Sequence, residues 1–228
     1  MSARMRAGSR HAAPRFVKAS GEITRLNRFE LGPGSQDRGE REAFIVQLVH
    51  DQPDLIPISD IEPAFSPLIS ICRQLPTSAG YVDNLWLTPD GGVVLGECKL
   101  VRNPQARREV IAQALDFARS VAGWHYQDLE LAARQALRSD QVTLWSQVSS
   151  LSELDETQFV DAVERRLRAG RILVLIIGDG IQEGVEALTE SLQLHAGLHV
   201  ALALVELSVW TGWTGVSLSS HAYPCERS

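Results

Sequence analysis

The run "VVLGECKL" (93–100) reads as a buried β-strand, yet Glu97 and Lys99 interrupt it. Desolvating ionised groups costs several kcal/mol, so buried charges need partners. A fold that buries this strand must therefore supply something for both charges. The preceding "TPDGG" (88–92) points to where that something comes from. Pro89 stands at the second turn position, where φ near −65° is wanted, and Gly91 stands where a left-handed conformation is needed. This is the signature of a three-residue hairpin loop, a type I turn closed by a glycine bulge. It pairs "YVDNLWLT" (81–88) with 93–100, sets Thr88 across from Gly92, and puts Asp83 directly opposite Glu97. Side chains on strands alternate, so Asp83, Glu97 and Lys99 are expected on one face. Directly opposite residues have Cβ atoms about 5 Å apart, where two like charges repel unless a positive group lies between them. A two-residue loop would shift the register by one and separate the acids.

Lysine itself is scarce. Of 22 basic residues only Lys18 and Lys99 are lysines, which marks position 99 as one where arginine's broad fork does not serve. GC-rich coding explains the arginine excess equally well. Two chemistries fit the pattern. One is a divalent cation, since Mg²⁺ and Mn²⁺ take hard oxygen ligands and need only one or two carboxylates. The other is a plain Glu–Lys or Asp–Lys ion pair.

The remaining elements follow from periodicity and turn chemistry. "EREAFIVQLVHDQ", from 39 onward, places Phe44, Ile45, Leu48 and Val49 at helical spacing. "LISICRQL" (68–75) reads as a strand. Asn103 and Pro104 supply an N-cap and a first-turn proline for a helix to about Ala122, with Gly123 as its stop. A polar helical stretch follows to about 170. "RILVLIIGDG" is a strand, "IQEGVEALTESLQLHAG" a helix and "HVALALVELSVW" a strand. The order predicts an α/β fold, a mixed sheet flanked by helices. Residues 1–37 are rich in Arg, Ser, Gly and Pro and are expected as a disordered basic arm, or alternatively as an organelle transit peptide. The folded domain is expected over 38–210, and 211–228 as an irregular tail.

Charge narrows the partners. Residues 1–30 carry about +5, so the remainder is about −11 of the net −6. Contact with nucleic acid would have to come from local patches. No apolar run reaches the roughly 18 residues of a membrane span, and no secretory signal is expected. Cys72, Cys98 and Cys225 fit neither a zinc site nor a disulfide framework, which points to a reducing cytoplasm.

With Asp83 on one strand and Glu97-Cys98-Lys99 on the next, the chain resembles the PD-(D/E)xK nuclease superfamily. Gln113-Ala-Leu-Asp-Phe117 is similar to the Q-x-x-x-Y element of its RecB and lambda-exonuclease branch, with phenylalanine in the tyrosine position, so any hydroxyl role is lost. The stretch from "DNLWLTPDGG" to "ALDFA" also looks like a group of uncharacterised bacterial restriction-endonuclease-like proteins. The resemblance covers about residues 40–122. It implies a restriction-endonuclease-like fold and Mg²⁺- or Mn²⁺-dependent hydrolysis of phosphodiester bonds, most naturally in DNA, in repair or in defence against foreign DNA. It implies Asp83, Glu97 and the Cys98 carbonyl as metal ligands and Lys99 as catalytic. It further implies Glu42 (Glu40 as the second choice) as a helper in metal or water binding, and Gln113 as an orienting residue. Glu109, Gln113 and Phe117 would share a helix stripe.

Arg102, Arg107 and Arg108 lie near a helix N-terminus, an arrangement that suits phosphate, although a solvated charged face reads the same way. Trp86 and Trp124 are candidates for base stacking or for ordinary packing. Two other functional classes stay open. One is a non-catalytic nucleic-acid- or protein-binding descendant of the nuclease fold. The other is a nucleotide-cofactor site at Gly178, Gly180 and Gly184, with Glu206 as the strand-end acid. A homodimer is compatible with all of these.

Overall fold

The computed structural model describes residues 14–28, 38–99, 104–178, 200–213 and 215–224. The chain order begins with β1 (Arg15–Val17), β2 (Ile23–Arg25), β3 (Asn27–Arg28), α1 (Arg38–Asp51) and α2 (Ile58–Ile61). It continues with β4 (Ile69–Thr77), β5 (Gly80–Leu87), β6 (Val93–Cys98), α3 (Pro104–Val121), α4 (Tyr126–Leu137), α5 (Leu144–Val148) and α6 (Glu156–Arg168). It ends with β7 (Ile172–Gly178), β8 (Ala201–Trp213) and β9 (Gly215–Pro224). The fold is α/β. Five strands in the order β8-β7-β6-β5-β4 form the centre of a mixed sheet, extended by β3 and β9.

The turn forms as its chemistry dictates. Gly91 adopts φ +87°. Its N–H donates to Thr88 O at 3.0 Å, and the Thr88 N–H donates to Gly92 O at 3.0 Å. The resulting register is Leu87↔Val93, Trp86↔Val94, Leu85↔Leu95 and Asn84↔Gly96, as the three-residue loop requires. β6 then runs parallel to β7, and β7 parallel to β8.

Parallel strands covered on both faces read as continuous apolar runs, and all seven residues of β7 are buried. Ile172, Val174 and Ile176 join one core with Val110, Ile111, Leu115 and Phe117 of α3. Leu173, Leu175 and Ile177 join a second core with Ile45, Val46 and Val49 of α1. The sheet is thus sandwiched, with α1 and α2 on one face and α3 to α6 on the other. No helix among the described residues is long and apolar enough to cross a membrane.

Two segments differ from expectation. Residues 15–25, placed by composition in a disordered arm, form the β1–β2 hairpin, and β3 pairs with β8 at Asn27↔Thr211 and Arg28↔Trp210. Residues 215–224, expected as irregular tail, form β9 along β8. The reason lies in β8, which is 13 residues long. β7 covers only 201–206 of one edge. The unpaired N–H and C=O groups left over need partners, and β3 and β9 supply them. The helix expected over 181–197 lies outside the described residues.

Gly96 is fixed by its neighbour across the hairpin. A Cβ there would stand 2.3 Å from Trp86 Cζ3, and Trp86 is fully buried. Gly96→Ala is expected to lower stability by about 1–3 kcal/mol through overpacking. Thermal unfolding would show this as a fall of about 2–4 °C per kcal/mol. An unchanged Tm would mean that the Trp86 ring yields freely.

Candidate active site

The two acids come together by a route that simple alternation does not describe. Val82 and Leu85 both sit in the α3-side core. Two residues separate them, so Asp83 and Asn84 both turn away from that core. Asn84 Nδ2 donates to Val46 O of α1 at 3.2 Å. Asp83 opens into a cleft of about 340 Å³ lined also by Glu42, Ala43 and Val46 of α1, Arg73 and Gln74 of β4, and Cys98 and Lys99. β4 makes the matching break: Cys72 and Leu75 both sit in the α3-side core, while Arg73 and Gln74 between them face the cleft. Gln74 holds φ +55° there, an uncommon left-handed conformation for a residue with a Cβ.

The hairpin ladder ends at Asn84↔Gly96, one pair short of Asp83 and Glu97. Beyond it the Asp83 side chain takes over. Its Oδ2 accepts the Cys98 N–H at 2.9 Å, and its Oδ1 accepts Gln74 Nε2 at 2.8 Å. In an extended strand the N–H and C=O of one residue point the same way, so the Cys98 carbonyl also faces Asp83. The Cys98 thiol belongs to the α1-side core, and burial pushes its pKa well up.

Glu97 is only 2% exposed. Its Oε1 lies 3.7 Å from Lys99 Nζ, and its Oε2 is buried with no hydrogen-bond partner among the described residues. Burial, followed by repulsion from Asp83, pushes the Glu97 carboxyl up to about 8. Burial also raises Asp83, against the two hydrogen bonds that hold its charged form. Lys99 Nζ lies 3.5 Å from Glu42 Oε2. Both ion pairs are longer than a good hydrogen bond, so the ammonium is held loosely between two acids at the mouth of the cleft.

Among the described residues, no three His, Cys, Asp or Glu side chains form a ready metal-binding group. The donor set nevertheless fits a hard cation that keeps most of its waters. It offers two mutually repelling carboxylates, an orphaned carboxylate oxygen and a strand-end carbonyl, where Mg²⁺ needs only one or two carboxylates. Asp83, Glu97 and the Cys98 carbonyl could hold such an ion.

Other expected residues fall elsewhere. Gln113 is half-buried on α3, and among the described residues no hydrogen bond joins it to Asp83, Glu97 or Lys99. The stripe expected with Glu109 and Phe117 is divided, since Glu109 is exposed and Phe117 is in the core. Arg107 and Arg108 lie in the first turns of α3, while Arg102 lies outside the described residues. Trp86 is sealed in the α1-side core, so it cannot stack on a base, and Trp124 packs against the α3-side core. Of the glycine pattern, Gly178 closes β7 beside Glu206, while Gly180 and Gly184 lie outside the described residues. Sequence reasoning missed Arg73 and Gln74. In "ISICRQL" nothing marks the break in alternation that brings both to the cleft. No protein-family model, curated protein or solved structure matches the chain.

Proposed function

We propose that this cleft hydrolyses phosphodiester bonds, most naturally in DNA, with Mg²⁺ or Mn²⁺. The observation that carries the reading is the buried Oε2 of Glu97, without a hydrogen-bond partner among the described residues, beside Asp83 and next to a loosely held lysine of an open cleft. Asp83, Glu97 and the Cys98 carbonyl would hold the ion, which when bound supplies a water of lowered pKa and neutralises charge at the phosphate. Lys99 presents a compact ammonium to the phosphate oxygens, where negative charge grows as water oxygen bonds to phosphorus. Glu42 keeps that ammonium at the mouth of the cleft and stands ready to accept the proton released by the attacking water. The P–O bond to the leaving sugar breaks, and its oxygen takes a proton from solvent. Gln74 steadies Asp83. The mixed sheet flanked by helices supports a restriction-endonuclease-like reading. The two buried free thiols, Cys72 and Cys98, suit a cytoplasmic setting.

The test is cleavage of plasmid and single-stranded DNA with Mg²⁺ or Mn²⁺ by the wild type, Asp83→Ala and Lys99→Ala. Cleavage by the wild type alone supports the reading; equal rates in all three overturn it. DNA binding by the wild type without any cleavage would favour the binding-module alternative.

Gln74 offers a further check. In Gln74→Gly the left-handed backbone remains easy but the hydrogen bond to Asp83 is gone. Outer-shell partners of metal ligands are worth about 10–100-fold in affinity. A calorimetric Mn²⁺ titration should therefore show Kd weakened by at least about tenfold, whereas an unchanged Kd would remove Gln74 from the site.

A further inference from the structure

The acidic chain raises the question of what draws a phosphate into a cleft lined by Glu42 and Asp83. The same break in β4 that aims Gln74 at Asp83 also brings Arg73 into the cleft. Its backbone is fixed, because Arg73 pairs with Asn84, whose side chain is tied to α1 through Val46 O. Its guanidinium, by contrast, is unspent. Arg119, Arg134, Arg166 and Arg168 each have a carboxylate oxygen within 3.2 Å. Among the described residues none lies within ion-pair reach of Arg73, although two acids line the same cleft. The titratable neighbour on α1 is His50, whose pKa is lowered by burial and then by the Arg73 charge; an imidazole, neutral or protonated, gives a guanidinium no counter-charge.

We propose that Arg73 is a phosphate-anchoring residue, gripping a backbone phosphate of the nucleic-acid strand as it enters the cleft. The assignment deepens the phosphodiesterase reading and rests on it for the identity of the ligand. A guanidinium presents a planar fork to two phosphate oxygens, which suits an anchor on a rigid strand. Lys99, a compact ammonium, is left for the reacting phosphate. Local cations of this kind are what a chain of net charge −6 needs to bind a polyanion.

The test uses the full chain, a fluorescent DNA oligonucleotide and anisotropy titrations in Ca²⁺ between about 50 and 200 mM salt, a range over which phosphate contacts are lost. Arg73→Ala should weaken binding several-fold and reduce the salt slope by about one. Arg73→Lys should keep the slope while losing part of the affinity. Unchanged affinity and slope in Arg73→Ala would overturn the assignment. In Mg²⁺ the alanine variant should raise KM more than it lowers kcat, whereas a fall confined to kcat would also contradict an anchoring role. The two readings fail separately. A wild type that binds but never cleaves, with the slope still reduced by Arg73→Ala, removes the nuclease and keeps the anchor. A wild type that cleaves, with Arg73→Ala identical to it, does the reverse.

Discussion

Lys99→Ala loses about 10²–10³-fold in the Mg²⁺-dependent cleavage rate, the loss typical of removing one group aimed at developing charge. The fold should survive. Lys99 is one-third exposed and its two ion pairs are long, at 3.5 and 3.7 Å. The partly exposed Glu42 pair contributes about 0–1 kcal/mol, and the buried Glu97 carboxyl, raised to about 8, holds a proton at neutral pH and needs no cation there. Loss of rate with an unchanged circular dichroism spectrum and Tm therefore separates catalysis from stability. Arginine should not rescue, because its broad fork does not replace a compact ammonium between Glu42 and Glu97. A rate within a factor of two or three of wild type would mean that Lys99 is only an ion-pair partner.

Glu97→Gln should do two opposite things at once. It abolishes divalent-ion binding and cleavage, yet it stabilises the metal-free protein at alkaline pH. The sign follows from linkage. Glu97 is raised from an ordinary 4.5 to about 8, with burial as the first cause and Asp83 the second. The native state then holds a proton that the unfolded state has lost between those values, so wild-type stability falls as pH rises through that window. At about 1.4 kcal/mol per unit the full penalty is on the order of a few kcal/mol. Glutamine carries no such penalty. Denaturant unfolding in chelator should show the variant gaining on wild type from pH 4.5 upward and levelling off above pH 8. Added Mg²⁺ should restore the wild type alone, since only a native state that binds the ion is stabilised by it. A difference independent of pH would show that Glu97 is not held as a buried acid.

The sequence carried the hairpin and its register further than any other feature. Pro89 and Gly91 fix a loop type, and a loop type fixes which residues face each other. From that came the proximity of Asp83, Glu97 and Lys99. The route was wrong in one respect: alternation breaks at Arg73–Gln74 and at Asp83–Asn84, and the Asp83 side chain, not its backbone, meets the Cys98 N–H. No local pattern encodes that break, because it is set by packing of α1 against both strands. Glu42 was named only through the resemblance, and it lines the cleft with Asp83 and Lys99. Helical and strand periodicity say that a residue is half-buried or apolar but not which layer receives it, so neither the α3 layer that carries Gln113 nor the α1-side core that takes Trp86 could be read ahead. The edge strands β3 and β9 were invisible because short segments without periodicity form strands only when a long neighbour such as β8 leaves hydrogen-bonding groups open.

The central claim is that Asp83 and Glu97 together hold one divalent ion. Calorimetric titration of Mn²⁺ at pH 7, run in two buffers of different ionisation enthalpy, tests it most directly. Because Glu97 must give up its proton to bind, the titration should report one ion per chain with close to one proton released. Both signals should vanish in Asp83→Ala and in Glu97→Gln. Absence of binding to the wild type, or binding that neither variant disturbs, would contradict the account.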